Sequence, residues 1–307
     1  MQSPISSTWA PRPENVCLHR MNHSGKTSPA VLVVTVTYNT GQTLIPFLES
    51  LSTASVEPLT VVIVDNASRD LSLERSLAAA HGAVLLELAD NRGYGGGVTA
   101  GVDAHGADAD YVLITNPDVS FSPGAIDELV RAAEGAADVG SVGPRILDAD
   151  GTVYPSARNL PSLRTGVGHA LFGRIWPSNP WSVSYRAERD YGTQSRDAGW
   201  LSGACLLVRK SAYDAVRGFD PRFFMYFEDV DLGARLGKSG WRNLYVPTAT
   251  VTHTGAHSTS NSAKRMERAH HSSAYLYLAD KYSAWYLAPV RALLRIGLAA
   301  RSWWVSR

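Results

Sequence analysis

Two kinds of segment alternate along residues 30–134. Short, mainly apolar runs rich in Val, Ile and Leu are typical of strands buried on both faces of a sheet. Longer segments repeat apolar residues every three or four positions, as one face of a helix does. This alternation predicts an α/β fold with a mainly parallel central sheet flanked by helices. The predicted strands are Val31–Val36, Thr60–Val64, Ala83–Leu88 and Tyr111–Thr115, and the predicted helices are Thr40–Ser52, Leu71–Ala80, Tyr94–His105 and Pro123–Glu134.

The pattern becomes irregular beyond Gly143. Residues 148–198 carry many Pro, Arg, Trp and Tyr side chains, and we expect loops and short strands over the sheet edge. Regular patterning returns with a predicted strand over Trp200–Val208, a helix over Val230–Lys238 and a strand-like run at Leu244–Val246. The irregular stretch is therefore a candidate region for substrate specificity.

The C-terminal segment, residues 261–307, has a pattern of its own. Ala263–Lys281 is predicted to be helical, and no acidic residue follows Asp280. Arg291 and Arg295 share one helix face, and an apolar stripe is formed by Val290, Leu293, Leu294 and Leu298. A basic amphipathic helix that ends in Trp303 and Trp304 suits an anionic membrane surface. Packing on the rest of the chain, or contact between copies in a homo-oligomer, is the alternative interpretation.

Composition adds few constraints. The chain of 307 residues is 45% hydrophobic and 19% charged, an ordinary globular balance, and its net charge of +1 gives no reason to expect a nucleic-acid partner. Its two cysteines, Cys17 and Cys205, imply no disulfide framework and suit a reducing cytoplasm. Residues 1–28 are polar and lack the apolar core of a secretory signal, so we expect a disordered tail. These features place the protein in the cytoplasm or on the cytoplasmic side of the plasma membrane.

Polar residues follow each of the four predicted strands. Ligands of parallel sheets bind beyond the carboxyl ends of the strands, so these groups should converge at one edge. The groups are Thr37-Tyr38-Asn39, Asp65-Asn66-Ala67-Ser68, Asp90-Asn91-Arg92-Gly93-Tyr94 and Asn116-Pro117-Asp118.

Three carboxylates, Glu228, Asp229 and Asp231, lie within four positions inside an apolar, aromatic stretch. Like charges repel, and burying them without partners costs several kcal/mol. Such an arrangement is typical of a site that uses a metal, a substrate cation or a proton transfer. A solvated acidic patch at the start of a helix is the alternative, because the helix dipole favours carboxylates there.

Each of the other motifs has at least two interpretations. Asp65 could accept an N–H from a nucleobase, or could serve in a turn. Gly93–Gly97 could approach a phosphate, could belong to a relaxed dinucleotide-binding fingerprint, or could allow close packing of a helix on the sheet. Asp118 at a strand end could hold Mg²⁺ or Mn²⁺ by oxygen, or lie in a proline turn. His253 could be structural, or could accompany a carboxylate at an Mn²⁺ site.

Taken together and in order, these motifs resemble the family-2 glycosyltransferases, which have the GT-A fold. The resemblance covers roughly residues 30–260, with Trp200-Leu201-Ser202-Gly203, Phe227–Leu232 and His253 in the later part. Within the family the chain resembles the bacterial cell-wall rhamnosyltransferases. The stretches that support this narrower resemblance are Val153–Arg158, Trp176–Trp181 and Val208–Ser211.

The resemblance implies a role for each matching residue. Asp229 would be the general base, supported by Glu228 and Asp231, while Asp118 and His253 would bind Mg²⁺ or Mn²⁺. The residues implied to bind nucleotide are Thr37, Tyr38, Asn39, Asp65, Asn66, Asn91, Gly93 and Asn116, and those implied near the acceptor are Trp200, Ser202 and Gly203. Asn116 stands where the family motif has its first acid, which lowers the charge of the metal site.

The implied reaction is an inverting transfer of L-rhamnose from dTDP-L-rhamnose to a polyprenyl-diphospho-GlcNAc acceptor during cell-wall linker synthesis. The implied organisation is a tail at 1–28, a GT-A domain at 29–260 and a helical, membrane-associating extension at 261–307. Another nucleotide-sugar donor, a non-catalytic nucleotide-sugar-binding membrane protein and a dinucleotide-dependent oxidoreductase are the alternatives. The oxidoreductase leaves Asp118, the acidic run and His253 without a role.

Overall fold

A computed structural model describes residues 28–163, 193–255 and 263–305 of the chain. The predicted tail lies almost wholly outside these ranges, as do Trp176–Trp181 and the predicted domain boundary at residues 260 and 261. The side chains of Trp303 and Trp304 are outside the description as well.

The main sheet contains ten strands within the described residues. They are β1 Val31–Thr37, β2 Leu59–Asp65, β3 Val84–Glu87, β4 Tyr111–Thr115, β5 Val119–Phe121, β6 Val139–Asp148, β7 Val153–Tyr154, β9 Arg196–Ala198, β11 Cys205–Arg209 and β12 Arg242–His253. A second, two-stranded sheet pairs β8 Ala157–Arg158 with β10 Trp200–Leu201.

Helices cover both faces of the main sheet. They are α1 Leu44–Ala54, α2 Ser72–His81, α3 Gly93–His105, α4 Ala125–Glu134, α5 Lys210–Ala215, α6 Glu228–Lys238, α7 Ala263–Lys281 and α8 Ala288–Val305, with short 3₁₀ turns at Gly41–Thr43 and Trp285–Leu287. All the strands and helices predicted between residues 30 and 134 are present, with their ends shifted by a few residues. The predicted α/β fold class is confirmed.

The two halves of the sheet are built differently. Strands β3, β2, β1 and β4 are parallel neighbours, connected by the helices that the alternation predicts. Beyond β4 the sheet is mixed, because β11 is antiparallel to both β4 and β6, whereas β12 is parallel to β6. The short strand β5 closes the path antiparallel to β12. Strand β11 follows the irregular stretch, where the alternation of strand and helix patterns stops, so the sequence pattern did not predict the direction of this strand.

Three local predictions needed correction. The strand predicted over Trp200–Val208 is two strands, because the chain turns at residues 202–204 and passes from the small sheet into the main one. The helix predicted to start at Val230 starts at Glu228, directly after Phe227, whose φ of 67° turns the chain. Strand β6 was not predicted, since Gly140, Gly143 and Pro144 weaken its local strand signal.

Strand β1 is buried on both faces of the sheet. Val33 belongs to the core beneath α1 and α4, and its neighbour Val34 belongs to the core beneath α3, α5 and α6. Alternate side chains of a strand point to opposite faces, so an uninterrupted apolar run fills both cores. Burying each such side chain contributes about 1.5–3 kcal/mol. This double core holds the carboxyl ends of the strands, where the polar groups lie.

Helices α7 and α8 form a C-terminal hairpin, residues 263–305. Arg291 stabilises the hairpin by donating from Nη1 to the carbonyls of Tyr282 and Ala284, both at 2.8 Å. Asp280, near the end of α7, accepts a hydrogen bond of 2.6 Å from Arg222 on the main domain. Among the described helices, none combines the length and the apolar character that crossing a bilayer requires.

Candidate active site

The ends of β1 and β2 form one hydrogen-bonded unit. Thr37 and Asp65 are direct partners in the parallel register, and the Thr37 hydroxyl donates to Asp65 Oδ1 at 3.2 Å. Ser68 donates its backbone N–H to Asp65 Oδ2 at 2.8 Å and its hydroxyl to Oδ1. Asp65 is buried, and its carboxylate is therefore occupied within the chain. Its observed contacts belong to the turn.

The turn after β1 is tied to the turn after β2. The backbone N–H of Asn39 donates to the Ser68 hydroxyl at 2.8 Å, and Arg69 donates its backbone N–H to Asn39 Oδ1 at 3.2 Å. Asn39 has a φ of 50°, a left-handed conformation that Asn tolerates better than most residues. The preceding Tyr38 is exposed. Its ring is thus the accessible part of a turn whose polar groups are already paired.

Asn66 connects these turns to the glycine-rich segment. Its side-chain amide donates to the Gly93 carbonyl at 2.8 Å and accepts from the Arg92 N–H at 3.3 Å, while the Gly93 N–H donates to Asn91 Oδ1 at 2.9 Å. Gly93 has a φ of 74°, and a Cβ there would lie 2.0 Å from the Phe224 carbonyl oxygen. Only glycine fits this position.

The remaining glycines of the segment serve packing. A Cβ on Gly97 would lie 2.8 Å from Val36, and one on Gly101 would lie 2.8 Å from Val34. Both distances are shorter than real Cβ contacts, so the glycines let α3 approach β1 closely. This geometry favours the packing interpretation over the dinucleotide fingerprint.

Asp118 and His253 meet at the opposite part of the edge. Antiparallel pairing of β5 with β12 aligns Val119 with His253, and Asp118 Oδ1 lies 3.1 Å from His253 Nε2. Asn116 Nδ2 lies 3.2 Å from the same ring nitrogen. The Thr254 N–H donates to the Asp118 carbonyl at 3.1 Å and fixes the loop.

The donor set of Asp118 and His253 fits a divalent cation. Adjacent ligands of an octahedral ion at about 2.1 Å lie about 3 Å apart, close to the observed O–N separation. A carboxylate with an imidazole suits Mn²⁺, and the carboxylate alone suits Mg²⁺. Within residues 28–163, 193–255 and 263–305, no group of three or more His, Cys, Asp and Glu side chains gathers around one point.

Asp229 is held by backbone donors at the start of α6. The Gly203 N–H donates to Asp229 Oδ2 at 2.9 Å, and the Val230 N–H donates to Oδ1 at 2.8 Å. Asp229 is partly exposed, whereas the preceding Glu228 is only 7% exposed. Glu228 Oε2 has no hydrogen-bond partner among the described residues. The two neighbouring carboxyls thus have different surroundings.

These surroundings decide which carboxyl holds a proton. Burial, reinforced by the charge of Asp229, raises the pKa of Glu228 to about 8. Burial also raises the pKa of Asp229, but the N–H groups of Gly203 and Val230 and the charge of Arg158 oppose that rise. Donors to a carboxylate favour its ionised form. Asp229 is therefore the partly exposed member of the pair, with two backbone donors that favour its ionised form, and Glu228 is the buried member, whose raised pKa favours its protonated form.

Asp231 lies in a different environment from Asp229. It forms an ion pair with Arg235, one helical turn later, at 2.7 Å. Arg235 also donates to the Val216 carbonyl at 2.7 Å, which ties α6 to the segment after α5. The acidic run therefore divides into a pair, Glu228 and Asp229, and a third carboxylate whose observed partner is an arginine.

The residues predicted near the acceptor border the small sheet. Trp200 Nε1 donates to the Asn159 carbonyl at 3.1 Å, and Arg158 lies over the Trp200 ring at 5.9 Å. The Ser202 N–H donates to the Ser156 carbonyl at 2.7 Å. Gly203 follows directly and contacts Asp229 as described, so the structure brings this group next to the acidic pair.

Two residues that the sequence analysis left without a role also border Asp229. The Tyr94 hydroxyl donates to the Gly203 carbonyl at 2.7 Å, and the charge of Arg158 lowers the pKa of Asp229. Tyr94 belongs to a motif used for the family resemblance, which was the available signal. Arg158 belongs to the stretch Val153–Arg158, which supports the narrower resemblance, but nothing in that stretch indicated a contact with Asp229.

Comparison with known proteins shows which family the chain is similar to. A sequence profile described as "Glycosyltransferase like family 2" matches residues 29–271. An N-acetylglucosaminyl-diphospho-decaprenol L-rhamnosyltransferase of Mycobacterium tuberculosis strain H37Rv is 47% identical over 88% of this chain and 91% of its own length. The rhamnosyltransferase WbbL of Escherichia coli K12 is 29% identical over 57% of this chain and 64% of its own.

Solved structures share the fold at low sequence identity. The Pyrobaculum calidifontis mannosyltransferase PcManGT, in complex with GDP-Man and Mn²⁺, has a TM-score of 0.58 and 16% identity over 90% of this chain and 71% of its own. GalNAc-T7, with UDP, GalNAc and Mn²⁺, has a TM-score of 0.56 and 14% identity over 75% of this chain and 44% of that longer one. Together with the profile match over most of the described residues, these likenesses show that the chain belongs to the family-2 glycosyltransferases.

Proposed function

We propose that the protein transfers L-rhamnose from dTDP-L-rhamnose to a polyprenyl-diphospho-GlcNAc acceptor, with inversion, in the synthesis of a cell-wall linker such as that of arabinogalactan. The observation that carries the reaction class is the partly exposed Asp229 carboxylate, held by the Gly203 and Val230 N–H groups beside the buried Glu228. The donor and acceptor are proposed from the relative that is 47% identical.

In this reaction Asp229 takes the proton from an acceptor sugar hydroxyl as that oxygen attacks the anomeric carbon. One C–O bond forms and the bond to the diphosphate breaks on the opposite face, which inverts the anomeric centre. The departing dTDP is already a stable anion, so one base suffices. Glu228, being neutral, adds no second negative charge beside the base, and Asp231 holds α6 through Arg235.

The nucleotide would lie against the turns after β1, β2 and β3. We assign base and sugar contacts to the exposed Tyr38 and to the backbone of the paired turns, because the side chains there, including that of the buried Thr37, already bond to one another. The residues proposed to shape this cleft are Asn39, Asp65, Asn66, Asn91, Gly93 and Asn116. A cleft whose walls are fixed before binding loses less conformational freedom when the donor enters.

Asp118 and His253 would hold Mg²⁺ or Mn²⁺ beside the diphosphate. Such an ion offsets negative charge on a leaving phosphate. The protein's own part is to keep the two donors 3.1 Å apart at the strand ends, with the Thr254 N–H fixing the loop of Asp118. Asn116 adds an amide but no charge, which leaves the diphosphate to supply further oxygen ligands.

The C-terminal hairpin is the proposed contact with the cytoplasmic face of the membrane that holds the lipid acceptor. Val290, Leu294 and Leu298 of the predicted stripe are partly covered, whereas Leu293 is 71% and Ile296 is 66% exposed. Trp285 at the hairpin turn is 85% exposed. Arg291 is committed to the Tyr282 and Ala284 carbonyls in the turn after α7, so the exposed Arg295 is the better candidate for lipid phosphates. We propose residues 29–260 as the catalytic domain and 261–307 as this extension.

Vesicle sedimentation tests the membrane contact. Replacing both Leu293 and Ile296 by Glu should remove most binding to vesicles that contain phosphatidylglycerol. Val56→Glu is the matched control, because Val56 is 89% exposed in the loop before β2 and should leave binding unchanged. Unchanged sedimentation of the double variant would reject the contact. A change from dimer to monomer without loss of vesicle binding would assign the face to a second copy instead.

A transfer assay tests the proposed reaction. A short-chain polyprenyl-diphospho-GlcNAc acceptor is incubated with Mg²⁺ or Mn²⁺ and a panel of dTDP-, UDP- and GDP-sugars, and the lipid product is analysed by mass spectrometry. We expect a rhamnosylated lipid from dTDP-L-rhamnose alone. Product from another donor would reject the proposed donor. Retained dTDP binding without any product would support the non-catalytic alternative.

A further inference from the structure

Tyr94 lies between the nucleotide side of the site and the base. It follows Gly93 at the start of α3, and its backbone N–H donates to the Phe224 carbonyl at 3.1 Å. Its partly buried hydroxyl donates to the Gly203 carbonyl at 2.7 Å. The N–H of Gly203 in turn donates to Asp229 Oδ2 at 2.9 Å. One residue therefore connects the glycine-rich turn to the peptide that holds the base.

The turn around Gly203 needs such an anchor. Its two ends are fixed, because the Ser202 N–H donates to the Ser156 carbonyl at 2.7 Å and the Asn116 N–H donates to the Ala204 carbonyl at 2.9 Å. Between them, Gly203 has no side chain to limit its backbone rotation. The bonds inside the turn are long, with both the Ala204 and Cys205 N–H groups 3.3 Å from Ser202. The Tyr94 hydroxyl supplies the short bond at the centre.

We propose that Tyr94 is a positioning residue that holds Gly203, and through it Asp229, in the orientation needed for transfer. The proposal rests on the function proposed above, because it assigns a task within the same reaction. Asn66 extends the connection, since its side chain donates to the Gly93 carbonyl at 2.8 Å. A nucleotide that orders the glycine-rich turn would thereby also fix the hydroxyl that orients the base.

Loss of the Tyr94 hydroxyl should change the proton affinity of Asp229. The groups that face Asp229 are Glu228 on its own helix, Tyr94 from α3, and Tyr154 and Arg158 from the segment before and within the small sheet. The Gly203 N–H lowers the pKa of Asp229, so a looser Gly203 raises it. The acidic limb of the pH profile of kcat/KM should then move to higher pH.

The test compares Tyr94→Phe with Tyr213→Phe in the full chain. Tyr213 is a suitable control, because it is a buried tyrosine that contacts the same Phe219 ring while its hydroxyl lies near Thr99, away from Gly203. With dTDP-L-rhamnose and the short-chain acceptor, Tyr94→Phe should lower kcat about 10- to 100-fold, the cost of a slightly misplaced group. Its KM for the donor should stay within about threefold of wild type, and Tyr213→Phe should change neither constant.

Hydrogen–deuterium exchange of the peptide that contains Gly203 provides a readout independent of turnover. Exchange should be faster in Tyr94→Phe and unchanged in Tyr213→Phe. An active wild type with equal kcat and equal pH profiles for Tyr94→Phe would overturn the proposal, as would unchanged exchange at Gly203. A wild type that makes no product from any donor would reject the proposed function instead, and the exchange result would still decide whether Tyr94 holds Gly203.

Discussion

The two sides of the active-site edge satisfy their polar groups differently. On the side of β1 and β2, Thr37, Asp65 and Ser68 bond to one another. On the side of α6, Glu228 is buried with Oε2 unpaired among the described residues, and Asp229 is held only by N–H groups. A saturated network gives a rigid wall, whereas an unsaturated carboxyl pair keeps an unusual proton affinity. The side of β1 and β2 thus provides a fixed wall, and the side of α6 provides the carboxyl pair with unusual proton affinity.

The largest expected effect comes from Asp229→Asn, which removes the carboxylate proposed as the general base and keeps the shape of the side chain. We expect transfer to fall by about 10³-fold while dTDP binding is retained, since general-base catalysis is worth about 10²–10⁴-fold. Steady-state transfer rates and calorimetric titration with dTDP measure the two properties.

Asp231→Asn is the matched control for that change, because it removes a carboxylate of the same helix that is paired with Arg235. It should lower the free energy of unfolding by about 2 kcal/mol and leave turnover within about tenfold. Equal loss of turnover in both variants would contradict the distinction between the two carboxylates.

Asp118→Asn should have the next largest effect. Removing the charged donor beside His253 should lower transfer by about 100-fold and raise the Mg²⁺ or Mn²⁺ concentration for half-maximal rate, and chelation should abolish turnover in wild type. Rate against metal concentration after chelation measures this. Asp108→Asn, at an exposed position, is the control. A metal dependence identical to that of wild type would remove Asp118 from the metal site.

Glu228→Gln tests whether the raised pKa of Glu228 makes the stability of the folded protein depend on pH. The pKa of Glu228 rises from 4.5 to about 8 on folding, so the folded state retains a proton that the unfolded state has lost. Stability from this group is present below pH 4.5 and is lost as pH rises toward 8, by at most about 1.4 kcal/mol per pH unit. Thermal melts of wild type should fall across this window more steeply than those of Glu228→Gln. Parallel curves would show that Glu228 is not protonated in the folded protein.

Ser68→Ala should have the smallest effect, because it removes one hydroxyl from the saturated side. We expect a loss of about 1 kcal/mol in stability and a donor KM raised a few-fold, with kcat unchanged. Urea melts and steady-state kinetics measure these values, with the exposed Ser52→Ala as control. A kcat reduced as strongly as in Asp229→Asn would contradict the proposed difference between the β1–β2 side and the α6 side.

The parallel half of the fold could be predicted from sequence because its order is local. Each strand from β1 to β3 is followed by a helix that returns the chain for the next parallel strand, and periodicity reports both. The mixed half depends on pairings between distant segments, such as β11 with β4, which periodicity does not contain. Strand β6 was missed for a further reason, since its glycines and proline have low strand propensity and are tolerated through pairing with β11 and β12.

The sequence indicated which residues belong to the candidate site more fully than it indicated the role of each residue. The crowding of Glu228, Asp229 and Asp231 indicated a site, but their different environments depend on partners elsewhere, such as Gly203. Tyr94 had no local signal of its contact, because its hydroxyl reaches a residue 109 positions away. Whether Asp65 or Asn66 contacts a nucleotide stays a prediction.

The insertion of β11 between β4 and β6 has a consequence for synthesis on the ribosome. β4 is an entirely buried apolar strand, and its outer partner begins next to Ala204, which lies 89 positions beyond Thr115. At roughly 5–20 residues per second, the free edge of β4 waits roughly 5–20 s for that partner. Unpaired apolar edges recruit other chains. The growing chain is therefore most prone to aggregation in the interval between these two strands, and slower translation of the intervening segment would lengthen the exposure.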